Sequence, residues 1–109
     1  MARDRGLEEL VSEELQSVPD VTGKSMFGGW AWLLGGNLLC GARDDGLLVR
    51  LGKGQDAWAL EISGVVPMLS RGRHMQGWVR APGSVYGEDA LRKRLLSCAI
   101  EFVHTLPRK

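Results

Sequence analysis

Along the first twenty residues, Leu7, Leu10, Val11, Leu15 and Val18 recur at helical spacing, and Glu8, Glu9, Ser12, Glu13 and Gln16 fill the opposite face. An apolar stripe of that period marks a helix with one buried side, so the spacing predicts a helix over 7–18. Pro19 ends it, because proline disfavours helical geometry in the residue before it. From Val21 to Leu51 the pattern changes to short apolar runs broken by Gly28-Gly29, Gly35-Gly36-Asn37 and Asp44-Asp45-Gly46. Glycine accepts the positive φ that tight hairpin turns need, and Asp-Gly is a strong turn signal. The runs between the breaks, at 25–27, 30–34, 37–42 and 47–51, have strand length. Turns this short make neighbouring strands antiparallel.

Beyond Gly52-Lys53-Gly54, residues 55–62 read as a short helix with Trp58 and Ile62 one turn apart, stopped by Gly64. Pro67 is expected to fix the turn that follows. A last strand is expected over 74–80, ended by Pro82-Gly83, and a long helix over 88–106 with Glu88 and Asp89 at its positive end. On that helix Leu91, Leu95, Cys98, Ala99, Phe102 and Leu106 form one stripe, which Leu96, Ile100 and Val103 widen to an arc of roughly 200°, where a single packing surface needs roughly 100°. Two explanations fit the surplus: contact with both the sheet and the first helix, or a dimer contact through Leu96, Ile100 and Val103. The element order gives an α+β fold, a two-layer sandwich with an antiparallel sheet of four or five strands packed with helices.

Composition narrows the class. With 109 residues, of which 44% are hydrophobic and 25% charged, the chain suits one globular domain spanning 1–109. A net charge of +1 is unlike that of strongly basic nucleic-acid binders. The N-terminus carries Glu8, Glu9, Glu13 and Glu14 where a signal peptide needs an apolar core. The longest apolar run, 30–34, falls far short of the roughly 20 residues of a bilayer span, so no membrane association is expected. Cys40 and Cys98 lack the spacing of a metal or redox pair and are expected as free thiols in a reducing, cytoplasmic compartment.

Candidate chemistry is sparse. His104 falls on the polar face of the last helix, and His74 has no accompanying nucleophile motif. Motifs of serine hydrolases, zinc proteases and calcium loops are absent from the sequence. Asp44-Asp45 suits a turn for backbone reasons, and Gly52-Lys53-Gly54 lacks the phosphate-loop spacing. No catalytic residue, metal site or cofactor is therefore expected. Aromatics beside arginines on a sheet can stack single-stranded bases, which makes Trp78, His74 and Arg80, with the loop residues Arg71 and Arg73, a candidate nucleic-acid or partner surface. Trp30 and Trp32 share a face and read as core. Arg92-Lys93-Arg94 reads as a solvated patch.

The string Ser25-Met26-Phe27-Gly28-Gly29, followed by Gly36-Asn37-Leu38-Leu39-Cys40-Gly41 and Leu47-Leu48-Val49-Arg50-Leu51-Gly52, resembles the N-terminal domain of the TfoX/Sxy family. Pro67-Met68, Gly72-Arg73-His74-Met75, Gly77-Trp78-Val79 and Thr105-Leu106-Pro107 extend the resemblance over nearly the whole chain. It implies a secretion-chaperone-like α+β sandwich, a role related to regulators of bacterial competence genes, and no enzymatic activity. Longer regulators of that family also carry a C-terminal, DNA-binding-like domain. This sequence resembles only the N-terminal unit, so the resemblance points to work through protein contacts, with an unidentified partner or a homodimer, ahead of direct nucleic-acid binding. In the shared motif Met26 and Phe27 are expected to fill core, Gly28 and Gly29 to supply turn geometry, and Arg50 to pair with an acidic side chain.

Overall fold

The computed structural model of the chain describes residues 4–26 and 28–109. Its elements, in order, are α1 (Arg5–Leu15), β1 (Val21–Met26), β2 (Gly29–Leu34), β3 (Asn37–Arg43), β4 (Gly46–Arg50), α2 (Ala57–Leu60), β5 (Val66–Ser70), β6 (Arg73–Ala81), α3 (Gly83–Tyr86) and α4 (Asp89–His104). The strands form one antiparallel sheet in the order β1-β2-β3-β4-β6-β5. The α+β class, the antiparallel sheet and the long terminal helices agree with the sequence. The sheet has six strands, one more than the upper expectation.

The extra strand comes from the segment read as a turn. Pro67 lies inside β5, at the margin of the sheet. An edge strand tolerates proline because only one of its sides must keep an unbroken ladder. The other differences are at boundaries. α1 stops at Leu15 and runs through a further turn, with Val18 N–H donating to the Leu15 carbonyl at 3.0 Å. Both β1 and β3 extend beyond their apolar runs, α2 is a single turn, and α3 was not foreseen.

Alternation along the strands separates two cores. Leu47 and Val49 of β4 join the main cluster with Leu7, Val11 and Leu15 of α1 and Leu95, Leu96, Ala99 and Val103 of α4. Leu48, between them, points to the other face and packs with Trp78 and Met68, covered further by Leu38 and Met75. The ladder shifts register at Trp32/Leu33 and at Pro67/Leu69, and side chains of β5 and β6 cover part of the second face. The wide apolar arc of α4 is accounted for within the chain: the helix lies on β2, β3 and β4 and against α3. Leu96 and Val103 are 2% exposed in the main core and Ile100 is half-buried against it.

One buried cation links three of the helices. Arg92, 5% exposed, donates through Nε and Nη2 to Glu14 Oε1 at 3.2 and 3.1 Å, through Nη2 to Asp89 Oδ1 at 2.8 Å, and through Nη1 to the Tyr86 carbonyl at 2.9 Å. The Tyr86 hydroxyl donates to Asp4 Oδ2 at 3.1 Å, and the other oxygen of Asp4 caps α1 by accepting from Leu7 N–H at 3.0 Å. Both ends of α1 are thus tied to α3 and α4. The basic run 92–94 is correspondingly no uniform solvated patch: Arg92 is buried, and Arg94 lies 4.1 Å above the Trp58 ring.

Motif residues act through backbone geometry. Gly28 takes φ +73° in the β1–β2 turn, and a Cβ at Gly29 would run into the Ala42 carbonyl oxygen of β3. Met26 is half-buried, and Phe27 lies outside the described residues. Arg50 pairs differently from expectation. Its Nη1 donates to the Leu38 carbonyl at 3.2 Å, and its guanidinium carbon lies 6.0 Å from the Trp78 ring and 5.6 Å from the Phe102 ring. Aromatic faces and a carbonyl thus take the place of the expected carboxylate.

Two outcomes follow. Arg92→Ala leaves Glu14 and the Tyr86 carbonyl without their donor and should cost about 3 kcal/mol in urea unfolding, while Arg92→Met with Glu14→Leu should recover most of that loss. Gly77 takes φ +85°, and a Cβ there would sit 2.5 Å from the Gly52 carbonyl carbon. Gly77→Ala should therefore cost about 2–4 kcal/mol. In the same assay Gly54→Ala, at φ +82° with no atom within 4 Å, should cost only about 1 kcal/mol.

Candidate interaction surface

The β3–β4 turn is built by Asp44 and Asp45, and it delivers Asp45 to a pair of arginines. Arg43, at the end of β3, holds it in a two-point contact, Nε to Oδ1 at 3.0 Å and Nη2 to Oδ2 at 2.7 Å. Arg80, on β6, reaches across β4 with longer contacts, Nη1 to Oδ2 at 3.5 Å and to the Asp45 carbonyl at 3.4 Å. Burial alone would push the Asp45 carboxyl up, but the bonds and charges of Arg43, joined by Arg80, outweigh it and hold the group below the usual carboxylate range.

These three residues form the polar wall of an open groove of about 430 Å³, and Val66, Pro67, Met68 and Leu69 of β5 form its apolar wall. Val66 stands directly across from Arg80 in the strand register. Val66, at 37% exposure, and Leu69, at 61%, are the exposed large hydrophobics among the described residues. Every other strand buries its large apolar side chains at least in part, so β5 stands apart. A cavity of similar size, about 400 Å³, lies beside α4 and is lined by Trp58, Phe102 and Cys98, among others. Its aromatic rings already carry Arg94 and Arg50.

The candidate residues read from the sequence fall into separate places. Arg80 belongs to the groove. Arg71, Arg73 and His74 are exposed at the far end of the same hairpin, where His74 is the register partner of Leu69 and Arg73 that of Ser70. Arg71 occupies the turn at φ +54°, a conformation that asparagine or glycine adopts with less strain. Trp78 is not with them. At 7% exposure it is packed against Leu48 and Met68, with no ring face open to a base. Arg43, Val66 and Leu69 were not singled out from the sequence, and Asp45 was read only as a turn residue. The segment around Pro67 was read as a turn, so the side chains of β5 were passed over.

The groove sets charged and apolar side chains beside one another. Among the described residues no group of three or more His, Cys, Asp and Glu side chains is placed to hold a metal ion, and His74 is not part of the groove lining. Cys40 and Cys98 are free thiols; burial pushes the Cys40 thiol far up. Among the described residues no helix is long and apolar enough to cross a membrane.

The fold and this surface define a small α+β domain with an amphipathic groove along an edge strand. Residues 13–103 match the TfoX N-terminal domain family, and the chain belongs to that family. No curated protein and no solved structure matches it.

Asp45 supplies a pH test. Because its folded-state pKa is lowered, its contribution to stability is complete above the ordinary carboxylate value of about 4 and is lost as pH falls through the lowered value. Asp45→Asn should therefore be less stable than the parent chain at pH 7, with the difference between their urea midpoints closing as the pH falls below the ordinary carboxylate range.

Proposed function

We propose that the chain is a non-enzymatic regulatory domain that acts by binding another protein along the β5 groove. Membership of the TfoX N-terminal domain family supports the regulatory class. The observation that carries the protein-contact reading is the exposure of Val66 and Leu69 beside Arg80, where the other large apolar side chains among the described residues are at least partly covered. Exposed apolar side chains grouped on a monomer mark interaction sites. That the regulated process is competence-gene expression in a bacterial cytoplasm rests on the family alone. Nucleic-acid binding by a tryptophan–arginine sheet face has less support, because Trp78 offers no stacking surface.

Site-specific photocrosslinking in cells tests the reading. A benzophenone side chain in place of Leu69 should give a discrete protein adduct, and one in place of Ser12, exposed on α1, should give none. Absence of any adduct from position 69, with the protein folded and expressed, would sink the proposal.

A further inference from the structure

The groove also carries information about what it binds, provided that it is the contact surface proposed above. We infer that its ligand is an extended acidic peptide segment in which carboxylate side chains alternate with large apolar ones.

Charge is the first argument. The groove and the hairpin beyond it carry Arg43, Arg71, Arg73 and Arg80, against the two carboxylates Asp44 and Asp45 of the adjoining turn. Asp45 is held tightly only by Arg43. The Arg80 contacts of 3.4–3.5 Å are at the limit of a hydrogen bond, so this half-exposed guanidinium has donors for a second carboxylate. The acidic side chains Glu9 and Glu13 are exposed on α1 instead. A chain with a net charge of only +1 therefore sets a local cationic surplus beside its exposed apolar strand.

Spacing is the second. Val66 and Arg80 are direct cross-strand partners, which puts their side chains roughly 5 Å apart on one face. An extended segment lying between the two walls turns alternate side chains to opposite sides, one set toward Val66 and Leu69 and the other toward Arg80. The five residues of β5 span roughly 17 Å, the reach of five or six extended residues.

The other occupants fit less well. A strand added to the outer edge of β5 would meet Pro67, which has no N–H to donate, in a strand of only five residues. A nucleic acid would find no exposed indole at Trp78 on which to stack a base. A metal ion would face arginines.

The test uses the full chain and fluorescein-labelled octapeptides read by anisotropy: alternating Glu-Leu, alternating Lys-Leu and all-Glu, with a dodecathymidylate single strand alongside. The alternating Glu-Leu peptide should bind in the micromolar range and at least tenfold tighter than the other three probes. Leu69→Asp and Arg80→Glu should each weaken it tenfold or more, Arg80→Lys should weaken it less than Arg80→Glu, and Glu13→Gln should leave it unchanged. Leu69 is mostly exposed, so Leu69→Asp keeps the core intact, and circular dichroism checks each variant's fold. Equal binding of the Glu-Leu and Lys-Leu peptides, tighter binding of the oligonucleotide, no binding of any peptide, or indifference to Leu69→Asp would each overturn the inference. Should the peptides fail while the benzophenone at position 69 still captures a protein, the ligand chemistry falls and the protein-contact reading stands. Failure of both removes the groove as a contact site.

Discussion

A single buried guanidinium links α1, α3 and α4 where their apolar stripes meet the main core. α1 and α4 are far apart in sequence and share no hairpin, and their apolar stripes alone would allow them to slide over the sheet. Arg92 removes that freedom by binding Glu14 on α1, Asp89 at the start of α4 and the carbonyl of Tyr86 on α3 with one rigid fork. A buried charge is costly unless every donor is used. The geometry that satisfies Arg92 therefore fixes where α1 must lie. Tyr86 repeats the device at the other end through Asp4, so the cap of α1 and its docking depend on the same carboxylate.

With the helices fixed on one face, the other face must cover itself. β4 is apolar on both sides, with Leu47 and Val49 under the helices and Leu48 behind them. The register shift in β5 and the close approach of Gly77 to Gly52 bring Met68, Met75 and Trp78 over Leu48. This closure consumes Trp78 and Met68 and leaves Val66 and Leu69 on the outside. The groove is thus a by-product of how the sheet seals its second core, and the Arg43–Asp45–Arg80 group forms its wall because the β3–β4 turn ends beside it.

Much of this was legible in advance. Helical periodicity placed both long helices to within a few residues, and the glycine and Asp-Gly breaks placed the hairpins, because both signals are local. The fifth strand was not legible. Its proline suits a turn or a strand margin equally well, and only the sheet order tells which edge a segment occupies. The surplus apolar width of α4 could not be assigned from its own sequence, since it depends on how many surfaces the helix meets. Arg92 was misread for the same reason: Glu14, which buries it, lies 78 residues away.

The sequence by itself determined the α+β class, the antiparallel meander, the two amphipathic helices and the family, since each rests on periodicity, turn chemistry or a contiguous motif. Only the tertiary structure decided that Trp78 is core, that Arg50 sits against aromatic rings and a carbonyl, and that Arg43, Asp45, Arg80, Val66 and Leu69 share one groove. Those are properties of neighbours brought together across the sheet. Strand order and register create them, and no local pattern in a single chain encodes either.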